Sequence, residues 1–187
     1  QVDLKIFTIP VVIIVFLAIT NSVNLTDGLD GLAGQVSVVY LGFMLALMML
    51  QCERLNILHL TLQEYNGLYL LTICLIGGIL GFLWFNVSKA KVFMGDTGSL
   101  SIGGFIGAIS IFSLNSFFIP IIGIIFVVTS ISVIVQVAHY KKTKRRVLLM
   151  APLHHHFQLK GYTETQICYF YVLITILFGV IAVMPYL

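Results

Sequence analysis

The sequence predicts an all-α integral membrane protein with six transmembrane helices and functional loops on one side. Three observations carry that prediction. The 187 residues are 59% hydrophobic and only 9% charged, with a mean hydropathy of +1.07. The apolar residues gather in six long stretches, and most of the basic residues gather in two of the loops between them. A soluble domain carries about 25% charged residues, and a core of this length cannot hide so much apolar surface, so lipid must be the solvent for much of the chain. A soluble enzyme, a nucleic-acid module and a disordered chain are excluded.

A hydrocarbon core about 30 Å thick takes about 20 apolar helical residues. Residues 6–23, 32–50, 68–85, 99–114, 117–138 and 167–187 meet that requirement. They are expected to be helices because a spanning segment in lipid must satisfy its own backbone. They lack the short alternating pattern of barrel strands. The fourth stretch is short and carries Gly103, Gly104 and Gly107. Such residues suit a re-entrant segment or close helix packing, since small residues let backbones approach in a membrane; a crossing helix is expected here. No repeat, low-complexity segment or linker divides the chain, which reads as a single transmembrane domain over 1–187. The chain opens on Gln1 rather than Met and has no basic segment ahead of its first apolar stretch. A signal peptide is therefore not expected, and an upstream segment is. Cys52, Cys74 and Cys168, odd in number and widely spaced, read as small apolar fillers.

With six crossings, loops 24–31, 86–98 and 139–166 share one side. They contain Lys89, Lys91, Lys141, Lys142, Lys144, Arg145, Arg146 and Lys160, eight of the ten basic residues; only Lys5 and Arg54 lie elsewhere. The positive-inside rule makes this side cytoplasmic and places both ends of the chain outside. Asp27, Asp30, Asp96, Glu164 and four of the five histidines fall on the same side. Ionisable groups at membrane depth are functional candidates by default.

Three motifs concentrate the chemistry. NLTDGLDGLA (24–33) holds two Asp-Gly pairs within five residues. One pair would suit a plain helix cap and turn, whereas two, with Asn24 and Thr26, favour carboxylates presented for function. FMGDTGS (93–99), preceded by Asn86, sets Asp96 among glycines just before a helix, with Lys89 and Lys91 nearby. An N-cap role is the plain alternative. Mg²⁺ takes one or two carboxylates plus substrate phosphate oxygens, so this pattern suits a diphosphate–metal complex, and Phe93 either stacks on a base or anchors at the interface. APLHHHF (151–157) follows the basic run 141–146. Adjacent residues cannot share one helical face, so the three histidines are expected on a loop. There they would contact phosphate or sugar or orient the carboxylates, with zinc as an alternative whose usual ligand spacing is absent. The basic run either enforces topology or attracts anionic substrates or lipid head groups. Together these loops suit metal-assisted transfer of a phosphoryl group onto a lipid.

These motifs, in this order and with this hydrophobic spacing, resemble the bacterial phospho-N-acetylmuramoyl-pentapeptide transferases of the polyprenyl-phosphate sugar-1-phosphate transferase superfamily. The quoted stretches are NLTDGLDGLA (24–33), VFMGDTGSL (92–100) and APLHHHFQLKG (151–161). The resemblance covers essentially the whole chain. It implies Mg²⁺-dependent transfer of phospho-N-acetylmuramoyl-pentapeptide from its UDP-sugar to undecaprenyl phosphate, giving lipid I and UMP in peptidoglycan synthesis. By resemblance, Asp96 is the Mg²⁺ ligand, and Asp27 and Asp30 are the other essential aspartates with Asn24 beside them. Gly28, Leu29, Asp30 and Phe93 resemble the uridine pocket. Asn86, His154, His155 and His156 resemble groups that line the site and hold the phosphate or sugar region.

Two departures stand out. Lys89 occupies a position where proline usually precedes the alanine, so the loop shape is expected to differ. The family has ten spans and an adjacent Asp-Asp pair in an early cytoplasmic loop. This chain resembles the last six spans and contains no Asp-Asp. It is therefore expected to be inactive alone, or active only with the missing N-terminal helices supplied in cis or in trans. A homodimer is compatible with the resemblance, and the sequence leaves oligomeric state open. The alternatives are a related polyprenyl-phosphate N-acetylglucosamine-1-phosphate transferase, which the histidine motif disfavours, and a non-catalytic transporter or scaffold. A transporter would carry its charged groups near the midplane.

Overall fold

A computed structural model describes residues 5–55 and 62–187, with side chains for all of these but 53–55 and 62–65. Arg54, one of the two basic residues expected on the opposite side, has its side chain outside that set. Among the described residues every regular element is helical: α1 (Thr8–Thr26), α2 (Leu32–Leu55), α3 (Leu62–Asn86), α4 (Gly95–Phe112), α5 (Ile119–Ile122), α6 (Ile124–Thr143), α7 (Leu153–Leu159) and α8 (Glu164–Val183). Five of them, α1, α2, α3, α6 and α8, are long and apolar enough to cross a membrane. Helix α4, expected as the fourth of six spans, is not among these five. Its opening turns carry Asp96, Thr97, Ser99 and Ser101, which dilute an otherwise apolar segment.

Two further expectations change. Stretch 117–138 is not one helix: a 3₁₀ turn at Ser116–Phe118 leads into α5, and Gly123 separates α5 from α6. Pro120 stands in the first turn of α5, where its missing N–H is tolerated. Helix α6 then runs past residue 138 to Thr143 and ends on Lys141 and Lys142. Cations favour the negative end of a helix dipole, so the basic residues extend the helix rather than ending it.

Helix α1 packs chiefly on α4 and α6, while α2 packs on α8 and α3. Helix α2 supplies much of the core, with Leu32, Val36, Tyr40, Leu41, Met44, Leu47 and Met48 all fully buried. The Tyr40 hydroxyl lies 2.9 Å from Ser110 Oγ on α4, and its ring is 6.1 Å from that of Phe126. Hydroxyls inside the helices are satisfied mostly by their own preceding turn. Thr20 donates to Phe16 O, Ser22 to Ala18 O, Thr26 to Ser22 O and Thr175 to Tyr171 O. Where water is absent this local bond is the simplest way to satisfy an O–H.

Helix α4 runs antiparallel along α1. Asp96 and Ser99 lie beside Asn24, Gly103 beside Thr20, and Gly107 beside Ile19 and Phe16. The contact at Gly103 is the tightest, because a Cβ there would sit 2.7 Å from Thr20 Cα and 2.9 Å from its carbonyl oxygen. Backbone atoms cannot swing aside as a side chain does, so Gly103 sets the α1–α4 spacing. At Gly104 an added Cβ meets only Phe16 Cζ, at 3.6 Å. Gly103→Val is expected to destabilise the chain by about 1–3 kcal/mol, the usual range for overpacking. Gly104→Ala is expected to change stability by less than about 0.5 kcal/mol. Thermal unfolding of both variants in detergent measures the contrast.

Candidate functional site

The chain's alternating direction brings the ends of α1, α3 and α6 to the beginnings of α2, α4, α7 and α8. Five contacts fix this meeting point. Asn24 Nδ2, in the last turn of α1, donates to Asp96 Oδ1 at 3.1 Å and to Ser99 Oγ at 2.9 Å, both on α4. The Gly31 N–H donates to Asn86 Oδ1 at the end of α3, 2.9 Å away. The Ala90 N–H donates to Asp30 Oδ2 at 2.9 Å. The Cys168 thiol of α8 lies 3.6 Å from the Asp30 carbonyl oxygen.

Between these ends opens a cleft of about 320 Å³, lined by Asn24, Asp27, Gly28, Leu29, Asp30, Asn86, Phe93, Met94, Gly95, Asp96 and Glu164. All eight of the proposed site residues outside the histidine motif therefore face one space. Asn24 and Thr26 belong to the last turn of α1 rather than to a loop, and Asp27 caps that helix through its N–H to Asn24 O. Asp96 lies inside the first turn of α4 rather than ahead of it, where the positive end of the helix dipole favours an anion. Asn86 is buried and uses both ends of its amide, donating to Val92 O at 2.8 Å while accepting from Gly31. Phe93 is 75% exposed at the rim, with an open face available for stacking.

The histidines are arranged differently from the sequence expectation. They lie on the short helix α7, and none lines the cleft. Because adjacent positions on a helix diverge by about 100°, the three rings have three separate surroundings. His154 is fully buried, and neither ring nitrogen has a partner. Its Nε2 stands directly against Gly28, where any Cβ would collide with the ring. Burial, with His155 adding to it, lowers the His154 pKa to about 3, so its ring is neutral at physiological pH. His155 Nδ1 is 2.6 Å from Gln158 Oε1, and Gln158 Nε2 donates to Glu164 Oε1 at 3.0 Å. That chain ends on a carboxylate at the cleft wall. His156 turns away and accepts the Leu149 N–H at its Nδ1, 3.1 Å away. The start of α7 is tied to α6 by the Leu153 N–H donating to Ser132 Oγ.

Two site elements, Ser99 and the Gly28–His154 contact, escaped the sequence reading, and Glu164 was expected only as one of the ionisable groups on this side. Ser99 shares the Asn24 amide with Asp96; its place in the glycine-rich motif was the available signal. Glu164 reaches the cleft from the first turn of α8, behind a Thr163–Gln166 capping box legible as T-x-x-Q. The Gly28–His154 contact joins residues far apart in sequence and left no signal. At Lys89 the backbone has φ +65°, and Ser88 before it is also positive at +30°. Proline is confined near −65°, so this loop takes a path that proline at 89 would forbid.

The carboxylates fit a hard divalent cation. Asp27 has its pKa raised from 3.8 to about 6, first by burial and then by the charge of Asp96. A cleft that Asp27 and Asp96 both line suits Mg²⁺ bound through one or two protein oxygens and substrate phosphates. Among the described residues no three His, Cys, Asp or Glu side chains converge on one metal position, so the zinc alternative finds no ligand set.

Because the folded chain holds the Asp27 proton more tightly than the unfolded chain does, ionising it costs stability. That loss develops as pH rises from about 4 through about 6. In metal-free protein, Asp96→Asn removes the smaller cause and keeps the larger. The Asp27 pKa is therefore expected to fall below 6 while staying above 3.8, as read by infrared titration of its carboxyl band.

Residues 1–114 match glycosyl transferase family 4. A phospho-N-acetylmuramoyl-pentapeptide-transferase of Borrelia duttonii is 43% identical over 185 residues, covering 97% of this chain and 53% of that protein. Proteins of the same name from Helicobacter hepaticus and Campylobacter hominis are 41% and 44% identical, covering 97% and 96% of this chain and 52% of each relative. The chain spans about half the length of these curated relatives. With more than half of its residues matched to the family and nearly all aligned to these relatives, the chain belongs to glycosyl transferase family 4.

Proposed function

We propose that this chain carries the donor-binding cleft of an enzyme that moves phospho-N-acetylmuramoyl-pentapeptide from its UDP-sugar to undecaprenyl phosphate, giving lipid I and UMP. The observation that carries this reading is the convergence of Asp27, Asp30 and Asp96 with Asn24, Asn86 and Phe93 on one cleft at the end of an apolar bundle. A water-soluble nucleotide sugar and a membrane-bound acceptor can meet only at such an end. The names of the relatives supply the substrate class. The basic residues of loops 86–98 and 139–166 support a cytoplasmic orientation for this end. In this reading α4 also crosses, as the fourth of six spans, because it lies antiparallel along α1 from Asn24 to Phe16.

In the reaction an oxygen of the acceptor phosphate bonds to the phosphorus that carries the sugar, and the bond from that phosphorus to UMP breaks. Mg²⁺, held by Asp96 with Asp27 across the cleft, would neutralise the diphosphate charge. Asn24 fixes the Asp96 carboxylate through its amide N–H. In this reading Asp27 takes a proton from the acceptor phosphate as the general base. Phe93 offers a ring to the uracil, and Gly28 with Leu29 forms the floor. His154 is a positioning residue: its neutral ring sets the height of Gly28 and hence of Asp27 and Asp30 on either side. The charged groups lie at helix ends rather than mid-bundle, which argues against a transporter.

The test is UMP release from each UDP-sugar in vesicles containing undecaprenyl phosphate, with the remaining half of a relative supplied in trans. The chain alone is expected to be inactive. In the supplemented system, Asp27→Asn and Asp96→Asn are expected to lower kcat by at least about 10²-fold, the scale of a lost catalytic acid, base or charge. Gly28→Ala is expected to lose activity, because its methyl group would strike His154. Preference for UDP-N-acetylglucosamine would move the chain to the related sugar-phosphate transferases.

A further inference from the structure

On the outer flank of α6, away from the cleft, a groove of about 610 Å³ opens between the helix's last turns and the segment that returns toward α7. One side chain builds it. Gln136 Oε1 accepts the N–H of Val147 at 3.1 Å and of Leu148 at 2.9 Å, and its Nε2 donates to Leu148 O at 3.2 Å. The returning chain is thereby held along the helix. The groove is aliphatic toward the bundle, through Val133, Val137 and Met150, and cationic at its mouth, through Lys141 and Arg146. Arg146 Nη1 donates to Leu149 O at 3.2 Å, which keeps the guanidinium at that mouth. Five cations occupy residues 141–146, and no Asp or Glu occurs between Asp96 and Glu164.

Val137, Tyr140, Val147, Leu149 and Met150 are each between 45% and 51% exposed beside these cations. Water tolerates such an apolar patch poorly, and an anionic molecule without a chain would leave it uncovered. Helix α6 is long and apolar enough to span, so its end lies where hydrocarbon gives way to head groups. We propose that the groove binds an anionic phospholipid, with the phosphate at Lys141 and Arg146 and an acyl chain along Val133, Val137 and Met150. This site is separate from the cleft and does not depend on the proposed reaction. It does connect to the cleft: Leu149, beside the groove-lining Met150, donates its N–H to His156, and α7 carries His154 against Gly28.

The test is titration of the full chain in neutral detergent with phosphatidylglycerol or phosphatidylcholine, with bound lipid counted by native mass spectrometry. Phosphatidylglycerol is expected to bind at least about tenfold more tightly than phosphatidylcholine. The Lys141→Ala/Arg146→Ala pair is expected to weaken it about tenfold or more, since each surface cation contributes substantially to anionic lipid binding. Arg146→Lys is expected to retain most of the binding, and Lys89→Ala/Lys91→Ala all of it. These exposed substitutions leave the core intact. Equal binding of the two lipids, no loss in the double variant, or displacement of phosphatidylglycerol by millimolar inorganic phosphate would each overturn the proposal.

Discussion

The site end of this chain is organised by two carboxamides that bond across helices, and one of them, Asn86, is buried and uses both ends of its amide. Asn86 accepts from the Gly31 N–H and donates to Val92 O, joining the end of α3 to the α1–α2 turn and to the loop before α4. Asn24 gives one amide to Asp96 and Ser99, joining α1 to α4. A hydrogen bond of this kind contributes about 1 kcal/mol net, but a buried group left unsatisfied costs about 1–3 kcal/mol. The larger number is the operative one, because lipid offers no substitute partner. The same scarcity of partners that makes the spans legible therefore locks the helix ends into a single arrangement.

That arrangement explains why two aspartates distant in sequence line one cleft. Asp27 ends α1 and Asp96 begins α4, and the antiparallel packing of those helices sets them on the same cleft. Gly103 lets the two backbones approach closely enough for the register to hold. Burial and mutual repulsion then raise the Asp27 pKa, which makes the pair receptive to a cation or a proton. Packing, register and electrostatics are steps in one chain of cause.

The positions of the spans were legible because a 20-residue apolar run permits little else in lipid. The ends were less legible. The motif at 24–33 reads as a loop, yet α1 continues through Thr26, since a helix end buried among other helices has no reason to stop at the first polar residue. The break at Gly123 and the extension of α6 to Thr143 depend on packing against Tyr40 and on the dipole, which apolarity does not report. At the site, composition and motif spacing pointed to Asn24, Asp27, Asp30, Asn86, Phe93 and Asp96, and the fold brings them together. The histidines show the opposite case. Three identical neighbours look equivalent in sequence, whereas one is buried on Gly28, one reaches Glu164 through Gln158, and one holds Leu149. Only the placement of α7 separates them.

The most direct measurement is photo-crosslinking of a uridine-diphosphate analogue to the protein in vesicles, with the adduct located by peptide mass spectrometry. Adducts within 24–31 or 86–99, competed by UMP and reduced by Asp96→Asn, are expected if the cleft binds the nucleotide. Adducts confined to 133–151, or spread without competition by UMP, would contradict it.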